Sequence, residues 1–194
     1  DLHSFPTRRS SDLPTASELI EEFKKIVPGK VHTGDEINED FSHDEMPIYG
    51  KAYPEVLIEA TNTEDIAKIV KLCYDNNVVV IPRGAGTGLT GAAVAMHGGI
   101  MLDMTKMNRI LEYDKENFVV KVESGVLLND LAEDALKQGL LYPPDPGEKF
   151  ATLGGNVATN AGGMRAVKYG TTRDYVRAMT VVLPTGEVVK LGGW

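Results

Sequence analysis

The stretch Pro82-Arg-Gly-Ala-Gly-Thr-Gly-Leu-Thr-Gly91 follows the apolar run Val78–Ile81 and decides how the rest of the chain is read. A buried strand that ends in closely spaced glycines delivers bare main chain to the carboxyl end of a sheet, where backbone N–H groups can meet an anion. Gly86-x-Gly88-x-x-Gly91 formally matches the dinucleotide fingerprint, but that motif must open a crossover helix of about 10–12 residues or more. Only Ala92–His97 separate Gly91 from Gly98-Gly99 and the next apolar run, so the spacing excludes it. Asp103 imitates the position of a ribose-binding acid, yet no helix intervenes. A Walker A loop is absent too, because no Gly-Lys-Ser/Thr follows. Arg83 is expected at the mouth of the loop, facing an anion.

Outward from this loop the chain alternates strand and helix. Val56–Ala60 reads as a short strand. Asn62 or Thr63 caps a helix whose apolar face is Ile66, Ile69, Val70, Cys73 and Tyr74, and Asn76-Asn77 ends it before the strand Val78–Ile81. This is a β-α-β unit with a parallel pair and a right-handed crossover. Ile100–Asp103 and Phe118–Glu123 are further strands. Val126–Gln138 is a second helix (Leu127, Leu128, Leu131, Ala132, Ala135, Leu136) closed by Gly139. Arg177–Leu183 and Glu187–Leu191 flank Pro184-Thr185-Gly186 as a hairpin. Upstream, Thr15-x-x-Glu18 is a capping box for a helix carrying Leu19, Ile20, Phe23, Ile26 and Val27 to Pro28-Gly29. Residues 30–55 read mostly as loop. The fold class is α+β, with a β-α-β start and an antiparallel finish.

A second glycine window runs through Tyr142–Gly147, Thr152–Gly163 and Lys168–Gly170. Twelve of the 20 glycines lie in the two windows, six in 84–99 and six in 147–170, so the clustering itself is the signal. In the second window small and polar residues separate glycine pairs, and few bulky groups are available to fill space. Such a stretch packs poorly on itself and suits clasping a flat, polar-edged ligand.

Composition narrows the partners. Twenty Lys and Arg against 28 Asp and Glu leave a net charge of −8 and a pI near 5.0, which argues against a nucleic-acid surface. No apolar run is long enough to span a bilayer. Cys73 is the single cysteine, which excludes an intrachain disulfide framework and suits a reducing, cytoplasmic setting; it falls on a helix face and reads as core. His3, His32, His43 and His97 show no metal-ligand spacing, so no metal is expected. Residues 1–13, with Ser4-Phe-Pro-Thr-Arg-Arg-Ser-Ser-Asp-Leu13, look like translated vector or adapter sequence and are read as a non-native or disordered tail. Residues 14–43 are an N-terminal helix and lead-in, and 44–194 form one domain.

The quoted loop, the strand ending in Asp103 with Met107-Asn108 after it, Glu123-Ser124-Gly125-Val126, Thr152–Gly163 and Val181-Val-Leu-Pro-Thr-Gly-Glu-Val-Val189 occur in the order of a known family. Over roughly 44–193 the chain resembles the FAD-linked oxidases of the vanillyl-alcohol oxidase, or PCMH-type, superfamily, and within it the group of the glycolate oxidase flavin subunit and D-lactate dehydrogenases. The resemblance implies a PCMH-type FAD-binding fold with an N-terminal β-α-β subdomain and a mixed, antiparallel second one. It implies that Pro82, Arg83, Gly84, Ala85, Gly86, Thr87, Gly88 and Gly91 wrap the FAD diphosphate and that Pro144 and Asp145 line the flavin. Thr152, Gly154, Gly155, Asn156, Thr159, Asn160, Gly162 and Gly163 continue the clasp, followed by Tyr169 and Gly170. Members that attach FAD covalently through this loop carry His near position 87; Thr87 here implies non-covalent binding. The family domain continues past the strand at Glu187–Leu191 into a further flavin-contacting segment and a substrate cap, so the chain is expected to be a C-terminally truncated fragment. The implied activity is transfer of hydride from the α-carbon of a small 2-hydroxy acid to FAD, with an iron–sulfur or other electron-transfer subunit as a candidate partner. The base and carboxylate-binding cations belong largely to the cap, and no catalytic residue is assigned. An enolpyruvyl-sugar reductase domain and a non-redox nucleotide-binding module stay open as alternatives.

Overall fold

The computed structural model describes residues 15–193, so the expectation for residues 1–13 lies outside the described part. A four-stranded sheet organises the first half: β1 (Val31–His32), β2 (Val56–Glu59), β3 (Val80–Arg83) and β4 (Ile100–Asp103) in the order β1-β2-β4-β3. β2 and β3 both run parallel to β4, in register Glu59↔Asp103 and Arg83↔Asp103, and β1 pairs antiparallel with β2. The β-α-β expectation is met by β2, α2 (Thr63–Asp75) and β3, with β4 inserted between the two strands. Asn62 starts α2 by accepting the Asp65 N–H at 2.8 Å.

Side-chain alternation divides the core. Val56, Ile58, Ile100 and Leu102 face α1 (Ile20–Ile26) and α2, where Phe23, Ile66, Ile69 and Cys73 close the layer. Leu57, Ile81 and Met101 point the other way, onto Ile37 and Ala95. All four residues of β4 are buried, as a central strand covered on both faces requires. β3 stands at the sheet edge, where Pro82 can lack an N–H without leaving a ladder bond unmade.

The second half holds the hairpin β5 (Ile110–Asp114) and β6 (Val119–Val122), then α3 (Leu128–Lys137), α4 (Leu153–Thr159), α5 (Ala166–Tyr169) and the hairpin β7 (Ala178–Val182) and β8 (Val188–Gly192). A third core of Val126, Leu128, Leu131 and Leu153 lies beneath β5–β6. The tip of the last hairpin rests on α2: a Cβ at Gly186 would come within 2.8 Å of the Ala67 carbonyl, so glycine is required there.

Several local expectations need correction. Thr15 makes no side-chain cap; the first turn, Ala16–Leu19, is 3-10, and Ser17 instead donates its hydroxyl to Glu55 at 3.2 Å. Tyr74 and Leu136, placed on apolar helix faces, are mostly exposed, because each face is wider than the sheet or strand surface it meets. Residues 30–55 contain β1 and three 3-10 turns, at Gly34–Glu36, Glu39–Ser42 and Pro47–Tyr49. β5 went unrecognised in the sequence because its outward residues break the apolar run. Among the described residues no helix is long and apolar enough to cross a membrane.

Candidate functional site

The first glycine window leaves the end of β3 and at once meets the second. A Cβ on Gly84 would fall on the side chain of Thr152, the residue that opens α4. Thr152 is buried and its Oγ1 accepts the Gly155 N–H at 3.2 Å, an N-cap that lets a glycine-rich segment begin a helix. The stretch Thr152–Gly163, read as a glycine-rich clasp, is helical over Leu153–Thr159. Tertiary packing overrides its poor helix propensity: Leu153 and Asn156 are buried, and Gly154 lies against Ser124, whose carbonyl accepts the Gly154 N–H at 2.7 Å. A Cβ at Gly154 would sit 2.8 Å from Ser124 Cβ, so only glycine lets the two segments touch.

Asn160 ends α4 in the left-handed region (φ 50°) and its side-chain oxygen accepts the Arg173 N–H at 3.0 Å. Gly162 and Gly163 then turn back toward Asp145, whose backbone carbonyl blocks any Cβ at Gly163 (φ 117°). Pro144 is buried behind this turn, and the half-buried Asp145 carboxylate pairs with Arg165 at 3.5 Å. Tyr169 offers its carbonyl to the Tyr175 hydroxyl at 2.7 Å, and Gly170 (φ 84°) packs on the Asp174 carboxylate. Pro144, Asp145, Gly162, Gly163, Tyr169 and Gly170 thus form one folded edge beside α4. Gly155 and Thr159 lie on the exposed face of α4, and Gly88 has open space where a side chain would be.

Arg83 departs from its expected place at the mouth. It is 5 % exposed, and its guanidinium donates to the carbonyls of Ala93 (3.0 Å) and Asp40 (2.6 Å) while lying 5.6 Å from the centre of the Phe41 ring. Burial pulls its pKa down, and the nearby carboxylates of Asp44, Asp103 and Asp40 oppose that shift. Gly86 (φ 72°) curls over this side chain. Arg83 is the pillar under the loop.

Sequence reading missed Ser124, Asp44 and Tyr49. Ser124 Oγ is buried with no hydrogen-bond partner, an orphan hydroxyl beside Gly154 that a bound group would satisfy. Asp44 accepts the Gly91 N–H at 2.7 Å, and the Tyr49 ring fills the space beside Gly91. Only the Ser-Gly pair at 124–125 carried a local hint. A cavity of about 1650 Å3 lies between α2, β5–β6 and β7–β8, reaches the two windows at Pro82, Tyr142, Pro143, Gly154 and Val157, and has Ser124 in its lining. Its lining is largely apolar, and it adjoins the glycine windows where Ser124 meets Gly154.

A strand-end glycine loop pressed against a capped helix, with main chain exposed on both and a Cβ excluded where they meet, defines a cradle for a phosphate-bearing cofactor. The cradle and the unpartnered Ser124 hydroxyl fit FAD, which is large, flat and rich in acceptor oxygens. Residues 54–192 match the FAD binding domain family, and the chain belongs to it. It is 75 % identical to the D-lactate dehydrogenase of Anaerostipes hadrus over 175 residues, 90 % of this chain and 37 % of that protein. It is 42 % identical to the glycolate oxidase subunit GlcD of Bacillus subtilis over 154 residues, 79 % of this chain and 33 % of that one. The chain spans well under half the length of these curated relatives. Among solved structures, 6-hydroxy-D-nicotine oxidase of Arthrobacter nicotinovorans superposes with a TM-score of 0.74 at 27 % identity, covering 86 % of this chain and 36 % of that one. Alkyldihydroxyacetonephosphate synthase superposes with a TM-score of 0.80 at 24 % identity, over 98 % of this chain and 42 % of that one, and shows the shared PCMH-type fold.

Proposed function

We propose that the chain is the cofactor-holding part of a flavin-dependent oxidoreductase acting on 2-hydroxy acids of the glycolate or D-lactate class. The observation that carries this reading is the 75 % identity to a D-lactate dehydrogenase across 90 % of the chain. FAD is the cofactor, held non-covalently, since Thr87 offers no ring nitrogen for attachment. When bound, it supplies the acceptor for the hydride of the substrate α-carbon.

The residues of this chain hold and orient that cofactor. The N–H groups of Gly84–Gly88 face the diphosphate, Gly91 closes the outer end of the loop with its own N–H held by Asp44, and Arg83 keeps the loop in shape from below. Ser124 Oγ donates to an acceptor on the cofactor. Gly155 and Gly162 let the ligand approach α4 and the following turn without meeting a Cβ, while Gly154 and Gly163 make room for Ser124 and Asp145, and Thr159 lies exposed beside them. Pro144 and Asp145 line the far edge, with Arg165 and Lys168 as neighbouring cations. The cofactor-binding unit runs over 44–194, preceded by the helix and lead-in of 14–43. The reading also includes a 2-hydroxy-acid substrate, an electron-transfer subunit that completes turnover, and a cytoplasmic setting.

Gel filtration of the chain after incubation with FAD tests the cofactor site: flavin absorbance co-elutes with protein, and FAD raises the melting temperature while ATP and NAD do not. Equal shifts with all three nucleotides would replace the reading with a generic nucleotide-binding module. The reaction is tested on a polypeptide of the relatives' full length, with D-lactate and glycolate as donors and a dye as acceptor. Failure to reduce the dye with either acid overturns the substrate class and leaves the cofactor result standing.

A further inference from the structure

Residues 38–52 precede the part of the chain that matches the FAD binding domain family, yet they are strapped along the underside of the glycine loop. The Asp40 carbonyl accepts from Arg83, the Glu45 N–H donates to the Gly88 carbonyl at 3.1 Å, and the Tyr49 ring lies against Gly91, where a Cβ would come within 2.8 Å of Cδ2. The centre of the strap is Asp44, 6 % exposed. One of its oxygens accepts the Met46 N–H at 2.9 Å and closes a local turn; the other accepts the Gly91 N–H at 2.7 Å from 47 residues away. Ala52 N–H to the Ser42 carbonyl, at 2.8 Å, closes the strap on itself.

A carboxylate is costly to bury, by several kcal/mol after relaxation, unless charge and hydrogen bonds compensate it. Shaping the turn at 44–46 needs one neutral acceptor, such as Asn or Ser. The second bond, to Gly91, takes the other carboxyl oxygen, so the position uses both acceptors of an aspartate where the turn alone needs one. Gly91 is the last glycine of the loop and adopts φ 71°, so its N–H direction fixes where the main chain of Gly88–Gly91 points.

We propose that Asp44 is a positioning residue of the cofactor site: through Gly91 it fixes the outer end of the glycine loop and so sets the affinity for FAD. This rests on the FAD reading above. Arg83 anchors the inner end of the same loop and Asp44 the outer end, so the loop is held at both ends before the cofactor arrives, which lowers the ordering cost of binding.

The test compares the wild-type chain with Asp44→Ala and Asp44→Asn. FAD affinity is measured by fluorescence titration, the melting temperature without FAD by circular dichroism, and backbone exchange over 84–94 by mass spectrometry. Loss of a charge-assisted bond predicts FAD binding about 30-fold weaker in Asp44→Ala. Asp44→Asn keeps one acceptor oxygen and recovers part of the loss, leaving about a 5-fold deficit. In both variants exchange quickens at 86–93 while α2 and β4 stay protected, and the cofactor-free melting temperature falls, more in Asp44→Ala than in Asp44→Asn. Wild-type affinity in Asp44→Asn and Asp44→Ala overturns the proposal. So does an affinity loss accompanied by faster exchange throughout the sheet, which marks a merely structural residue; if Asp44→Ala does not fold, Asp44→Asn alone gives the same decision. A wild-type chain that retains no FAD overturns the cofactor reading on which the proposal stands.

Discussion

The side chain of Thr152 occupies the space in which a Cβ on Gly84 would stand, so the end of β3 and the start of α4 are in direct contact. The same hydroxyl caps α4 through the Gly155 N–H. Gly84→Ala therefore has to displace the cap. Overpacking and cap loss together predict a destabilisation of about 2 kcal/mol or more. Thr152→Ala costs about 1 kcal/mol, and Thr152→Ser much less. Thermal melts should rank the variants in that order, with about 2–4 °C per kcal/mol for a chain of this size.

Gly155 separates a ligand effect from a folding effect. A Cβ there meets only Thr152 Oγ1, at 3.1 Å, and the position is exposed. Gly155→Val is expected to leave helical content and melting temperature near wild type while abolishing FAD retention, because its side chain projects into the cradle. Retained flavin on gel filtration would place the cofactor away from this face of α4.

Arg83→Met removes the donors to the Ala93 and Asp40 carbonyls and the positive charge near the carboxylates of Asp44 and Asp103. Leaving those two buried carbonyls unpaired costs about 1–3 kcal/mol each. Arg83→Lys is not conservative here, since one ammonium cannot reproduce a planar fork reaching two carbonyls. Urea unfolding midpoints should fall sharply in both variants.

Glu123 accepts from the Arg109 side chain at 2.7 and 3.1 Å and from its N–H at 2.8 Å. The Arg109 hydrogen bond, opposed by desolvation, holds the Glu123 carboxyl below the usual carboxylate range. A depressed folded pKa contributes stability that is present above the ordinary glutamate value of about 4.3 and is lost as pH falls through the folded value. Arg109→Gln should therefore destabilise the protein at neutral pH and flatten the dependence of its unfolding midpoint on pH below about 4.5. Parallel profiles for the two proteins would contradict the pairing.

Burial pushes the Cys73 thiol up from the ordinary value near 9 to about 12. The folded protein should react negligibly with a thiol reagent at pH 8 and stoichiometrically once unfolded in urea. A raised folded pKa contributes stability that is fully present below about pH 9 and lost as pH rises toward 12. Cys73→Ser should remove that part of the alkaline loss, at the expense of a buried hydroxyl.

Local pattern carried much of this fold. The periodicity of Ile66, Ile69 and Cys73, the Asn62 cap, the apolar runs that became β2, β3 and β4, and the Pro184-Thr185-Gly186 turn are written in neighbouring residues, as was the order of glycine windows that marks the FAD family. Hydrophobic period and turn chemistry act over a few residues, so a linear reading can see them. What neighbours cannot encode was decided by packing. Thr152–Gly163 looks unfit for a helix until Ser124 supplies the surface on which Gly154 rests. Arg83 looks like an anion contact until the carbonyls of Asp40 and Ala93 draw its guanidinium inward. Asp44 is one acid in a run of acids until the folded chain brings Gly91 to it. Each of these depends on a contact between segments far apart in sequence, whose enthalpy exists only once the chain has met the entropic cost of closing the loop between them.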